Sequence, residues 1–219
     1  MVKRYFVLGT DTDCGKTFVT CQLLALLKQR AKVFAIKPIA TGCVREGTRL
    51  ISEDAVRLAQ YNGATPYESF SWRFEPPVSP HLAAEAAGVT LTVQALMQCC
   101  FNPVFDDLDY LLIEGAGGLM VPLNQQDTWV DFLSLSQLPV IVVVGLQLGC
   151  INHALLTAHV MQDQAIECVG WVANGLDPSM QALPETIATL STKLPWPLLT
   201  TIPHGGTCSQ DSFDRLNLL

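Results

Sequence analysis

Short apolar runs alternate with longer stretches in which apolar residues recur at helical spacing. The runs Tyr5–Leu8, Val33–Ile36, Tyr110–Ile113, Val140–Val144, Val169–Ala173 and Leu198–Ile202 are nearly unbroken by polar residues. That is the mark of strands covered on both faces. Helical spacing is read over Thr17–Gln29, Ser52–Gln60, Thr92–Cys100, Ile151–Asp163 and Glu185–Lys193. Strand–helix alternation of this kind predicts an α/β fold: a doubly wound, mainly parallel sheet flanked by helices, with right-handed crossovers. Ligands are then expected beyond the carboxyl ends of the strands. No repeat or linker interrupts the pattern, so residues 1–219 are read as one domain. The proline-rich stretch Glu75–Pro80 is read as a shaped loop.

Composition supports this picture and narrows the function. The chain is 49% hydrophobic and 15% charged, which excludes disorder. A net charge of −7 argues against nucleic acid as a partner. Eight scattered cysteines form no C-x-x-C pair, so a zinc cage is not expected and the thiols read as reduced. The chain passes directly from Met1-Val2-Lys3-Arg4 into a core strand, and no apolar stretch is long enough to span a bilayer. A cytoplasmic protein is expected, with no membrane contact.

The chemistry is concentrated where strands end. Gly9-Thr10-Asp11-Thr12-Asp13-Cys14-Gly15-Lys16-Thr17 joins the first strand to the first helix. A glycine-rich turn closed by Gly-Lys-Thr at a helix N-terminus cradles phosphates on backbone N–H groups, with the lysine on the terminal phosphates and the hydroxyl on magnesium. Five residues rather than the usual four separate Gly9 from the Gly-Lys pair, so the loop is a variant. Lys37 closes the second strand, with Thr41 following in the same loop. Glu114 closes the third, before Gly115-Ala116-Gly117-Gly118, and Asn174 closes the fifth. Magnesium needs hard oxygen ligands, and Thr17, Asp54 and Glu114 supply them. Taken singly, Lys37 is a solvated strand end, Asp54 a first-turn acid and Asn174 a turn cap; their joint pattern points to a site. Cys14 lies beside a lysine and a helix N-terminus, surroundings that favour thiolate and alkylation; the equal alternative is a small apolar filler. The four histidines read as structural, and neither Ser79 nor Cys150 sits in a nucleophile elbow.

From end to end, these residues resemble the dethiobiotin synthetases. The resemblance is carried by the phosphate loop, Lys37-Pro38-x-Ala40-Thr41-Gly42, Ser79-Pro80-His81, Glu114–Gly118, Leu148–Ala154 and Gly170–Asn174. It implies a P-loop homodimer that carboxylates 7,8-diaminononanoate with CO2 and closes the ureido ring, consuming ATP with Mg2+. By matching position, Lys16 and Lys37 are the implied catalytic residues. Asp13, Cys14, Gly15, Lys16, Thr17, Phe18, Asp54, Glu114, Gly115, Ala116 and Gly117 fall to the nucleotide phosphates and their metal. Asn174, Gly175, Pro203, His204 and Gly205 are implied around adenine. Thr41 and Ser79 are implied beside the diamine. Leu148, Gly149, Cys150 and Asn152 are implied to grip its carboxylate from the second subunit. Against the family pattern, Cys14 replaces an aliphatic residue, Asp13 a frequent glutamate and Gln147 a frequent lysine. The rival reading is a partitioning-type or iron-protein-type ATPase switch. Such switches usually carry an additional lysine early in the loop, where this chain has Thr10-Asp11-Thr12, and they leave Lys37 and Thr41 unexplained.

Overall fold

The computed structural model describes residues 1–63 and 72–208. The elements follow in order: β1 (Lys3–Gly9), α1 (Lys16–Leu27), β2 (Val33–Ile36), β3 (Ile39–Ala40), β4 (Val44–Glu46), β5 (Arg49–Ile51), α2 (Glu53–Asn62) and β6 (Trp72–Arg73). The second half runs α3 (Pro80–Ala86), α4 (Val93–Cys100), β7 (Tyr110–Glu114), α5 (Trp129–Ser136), β8 (Val140–Leu146), α6 (Cys150–Asp163), β9 (Cys168–Gly175), α7 (Leu183–Lys193) and β10 (Leu198–Ile202).

Six strands form one parallel sheet in the order β10-β9-β8-β1-β7-β2. Alternation along each strand divides the side chains between two helical layers. Tyr5 and Val7 of β1 pack with Val19, Leu23 and Leu24 of α1 and Leu58 of α2. Phe6 and Leu8 face a larger core built from α4, α5, α6 and α7, where Phe6 lies 5.1 Å from the Trp129 ring and 5.7 Å from Phe132. Both faces are covered, which is why the strands read as continuous apolar runs.

All six sheet strands coincide with the runs seen in the sequence, and five helices match within a few residues. Two of those helices begin one residue late because the expected first residue is the cap: Ser52 Oγ accepts from Ala55 N–H and Thr92 Oγ1 from Ala95 N–H. The expected proline-rich loop holds only to Ser79, since Pro80 opens α3, at the position where a missing N–H costs nothing. The segment α5 has no counterpart in the sequence reading. It is nucleated by a capping box in which the Thr128 side chain and Asp131 bond reciprocally.

Register places the functional residues. Val7 stands beside Glu114, and Ile36 beside Ile113. Lys37, one residue past β2, therefore emerges next to Glu114, and both border the loop that follows β1. The strand β1 lies between β7 and β8 while its chain continues to β2, so the crevice between diverging crossovers opens at Gly9.

Candidate active site

Beyond the carboxyl ends of β1, β2 and β7 lies a cleft of about 780 Å³. Asp13, Gly15, Lys16, Thr17 and Phe18 of the phosphate loop line one side, with Lys37, Asp54, Ala116 and Gly117 around them. Thr41 and Ser79 lie on the opposing wall, which the turn Pro77–Pro80 completes. The two segments of that wall are joined by Gly42 N–H to Pro76 O at 3.1 Å and Cys43 N–H to Phe74 O at 2.9 Å.

At the floor, Glu114 is fully buried. One carboxylate oxygen, Oε1, accepts from the Thr17 hydroxyl at 2.6 Å and from Lys37 Nζ at 2.9 Å. Lys37 also bonds the Asp54 carboxylate at the first turn of α2. Burial works against the Lys37 ammonium, yet Glu114 and Asp54 outweigh it and hold its pKa above the ordinary lysine value. Burial likewise opposes the Asp54 charge, and Lys37 overcomes it, holding Asp54 below the ordinary carboxylate value. Glu114 Oε2 has no hydrogen-bond partner although it is buried. An unpaired buried carboxylate oxygen is costly. Together with the Thr17 hydroxyl and Asp54, it forms a set of hard oxygens that suits a magnesium ion.

The phosphate loop is shaped from behind. Asn174 is buried and its Nδ2 donates to Cys14 O at 3.0 Å. Gly15 has φ +87°, and a Cβ there would lie 2.1 Å from Asn174 Nδ2. Only glycine fits both the left-handed backbone and that approach. Lys16 Nζ donates to Asp11 O at 2.8 Å, arched over its own loop. Cys14 is 2% exposed, with its sulfur 3.8 Å from Lys16 Nζ. Of the two readings of Cys14, its burial favours the small side chain packed inward over a thiol open to alkylation. Trp129 Nε1–H donates to Ala116 O at 2.9 Å and fixes the Gly115–Gly118 turn against α5.

Other expected residues fall elsewhere. Gly175 ends β9 beside the start of the Pro203–Gly205 turn, where His204 and Gly205 are exposed. Leu148, Gly149, Cys150 and Asn152 lie at the N-terminus of α6 and do not line the cleft of their own chain. Leu148 is fully exposed there. Thr12, Ile39, Arg57, Val78 and Val121 line the cleft and were missed in the sequence. For Arg57 a signal existed, since it follows Asp54 by three residues on α2 and so shares its helix face. His153, read as structural, lies against Asp11 of the loop.

With this geometry in hand, comparison with known proteins is decisive. A family model described as an AAA domain matches residues 3–212. The chain is 53% identical over 209 residues to the ATP-dependent dethiobiotin synthetase BioD of Legionella pneumophila (strain Lens), covering 95% of this chain and 97% of that one. The chain belongs to the dethiobiotin synthetase family. The synthetase of Pseudoalteromonas translucida (strain TAC 125) is 42% identical, with 93% of this chain and 91% of the relative aligned. Membership makes the protein an ATP-dependent ligase. Among solved structures, the septum site-determining protein MinD of Pyrococcus horikoshii OT3, complexed with Mg-ADP, superposes with a TM-score of 0.59 at 17% identity. The match covers all of this chain and 94% of that one, and establishes the P-loop fold alone. Among the described residues of this synthetase, no helix is long and apolar enough to cross a membrane.

Proposed function

We propose that this synthetase converts 7,8-diaminononanoate, CO2 and ATP to dethiobiotin, ADP and phosphate within the cleft, the whole chain acting as one P-loop unit in the cytoplasm. One amine nitrogen attacks CO2 and loses a proton, giving a carbamate. A carbamate oxygen displaces ADP from the γ-phosphorus, forming a carbamic–phosphoric anhydride. The second amine attacks the carbonyl carbon, loses a proton and expels phosphate as the ring closes.

The observation that carries this reading is the Lys37–Asp54–Glu114–Thr17 cluster beside the phosphate loop. A nucleotide switch of the rival kind carries its additional lysine within the loop; joining two anions, carbamate and γ-phosphate, calls for a second cation beside it. Lys37 is that cation, kept charged by two carboxylates. The loop from Asp13 to Phe18 and the turn Gly115–Gly117 would hold the phosphates through backbone N–H groups, with Lys16 on the transferring phosphoryl group. Thr17, Asp54 and Glu114 would hold Mg2+, which when bound neutralises phosphate charge. Lys37, beside them at the mouth of the phosphate loop, would supply positive charge to the carbamate. Asn174, Gly175 and the Pro203–Gly205 turn would flank adenine.

Thr41 and Ser79 stand where the diamine would lie, and the exposed α6 N-terminus, Leu148–Asn152, would meet its carboxylate in a second copy of the chain. Each site of the homodimer would thus be shared. The deciding experiment is phosphate release from MgATP in bicarbonate, with and without the diamine. Release that requires the diamine and accompanies dethiobiotin supports the reading; equal release without it overturns it.

A further inference from the structure

The crest of the phosphate loop is held sparingly. At its entrance, Thr10 N–H donates to Val143 O at 3.1 Å, and at its exit Asn174 holds Cys14 O. Between them, Asp13 takes a positive φ of 56°, a conformation unfavourable for a residue with a side chain. Asp11 is the tie in the middle. Its Oδ1 accepts from Thr12 N–H at 2.7 Å, its carbonyl accepts from Lys16 Nζ at 2.8 Å, and its Oδ2 lies 3.4 Å from His153 Nδ1. His153 thus ties the crest to a rigid element outside the loop. That element is the first turn of α6, fixed by His153 N–H to Gly149 O at 3.2 Å and by Thr157 Oγ1–H to His153 O at 2.8 Å.

The geometry points to His153 as a positioning residue for nucleotide binding. It sets the Asp11 side chain, Asp11 sets the crest, and the crest carbonyl sets the Lys16 ammonium. Because His153 sits one turn from the exposed N-terminus of α6, the link runs from that terminus to the phosphate loop. The inference rests on the loop being the nucleotide site, and on neither the diamine reaction nor the dimer.

The test is MgADP affinity by titration calorimetry on the full chain, with thermal unfolding as a control. His153→Ala is expected to raise Kd about two- to fivefold, the scale of a half-exposed pair. His153→Asn, whose amide nitrogen reaches toward the same carboxylate, restores most of that loss. In an Asp11→Ala background the His153→Ala change has no further effect, and His159→Ala, exposed further along the same helix, changes nothing. Unchanged Kd in His153→Ala, additivity with Asp11→Ala, or failure of His153→Asn to restore binding overturns the inference. A wild-type protein that does not bind MgADP overturns the nucleotide reading itself, a distinguishable result.

Discussion

Replacing Lys37 with Met tests the electrostatic floor of the cleft directly. Methionine keeps the reach of the side chain and removes the charge. Glu114, with a side chain that is 0% exposed, then retains the Thr17 hydroxyl at 2.6 Å and no cation. Removing one partner of a buried pair costs about 3–5 kcal/mol, because the other charge is stranded. Asp54, at 38% side-chain exposure, is screened by water and adds little. At about 2–4 °C per kcal/mol for a chain of this size, the melting temperature falls by about 6–20 °C. The pH dependence follows from the signs. Lys37 is held above its ordinary value, so its contribution is complete below about pH 10.4 and is lost as pH rises through the raised value. Asp54 is held below its ordinary value, so its contribution is present above about pH 3.9 and is lost as pH falls through the lowered one. The penalty should therefore be flat from about pH 5 to about pH 10 and shrink above that, with Asp54 contributing only a small decline toward acid. Urea unfolding followed by far-UV circular dichroism, with matched m-values, measures it. Lys37→Met combined with Glu114→Gln should recover most of the stability and none of the activity. A loss below about 1 kcal/mol at neutral pH, or a double variant no better than the single, refutes the reasoning, since an exposed pair costs no more.

Three further outcomes are expected. Gly15→Ala forces a Cβ to 2.1 Å from Asn174 Nδ2 at φ +87°, so calorimetry should show MgADP binding lost, and Asn174→Ala should not recover it because the strained backbone remains. Cys14 in the native protein should resist iodoacetamide and react only after unfolding, as peptide mass mapping can establish; rapid native labelling would contradict its burial. Gly149→Pro denies the φ of +96° at the start of α6, and it should raise the KM for the diamine at least about tenfold, with the KM for ATP rising by no more than the few-fold that loss of the His153–Asp11 tie costs. In parallel, the wild type should sediment as a dimer at micromolar concentration.

Legibility in the sequence followed burial. The central strands were visible because covered faces leave no room for polar residues, and the phosphate loop because its spacing is chemically constrained. The helix α5 was not read, since exposed Leu135 beside buried Trp129, Phe132 and Leu133 blurs the amphipathic contrast of a short helix; Thr128 with Asp131 was the available sign. The pairs β3–β6 and β4–β5 involve two or three residues each, too few to leave a periodic pattern in the sequence. Lys37 and Glu114 were legible as strand ends, whereas their contact was not. It depends on which strands are neighbours, and β2 beside β7 brings together positions 77 apart in the chain. The tie between Asp11 and His153 was illegible for the same reason.

The strand order also governs when the molecule can assemble during its own synthesis. The first strand made, β1, is hydrogen-bonded to β7 and β8, and β2 to β7. Neither early strand has a neighbour in the sheet until Tyr110–Glu114 has left the ribosome. At about 5–20 residues per second, the apolar segments of β1 and β2 wait for several seconds before any partner exists. Half of the nascent chain must therefore be shielded rather than folded, and the ligand cleft is completed in the second half of translation.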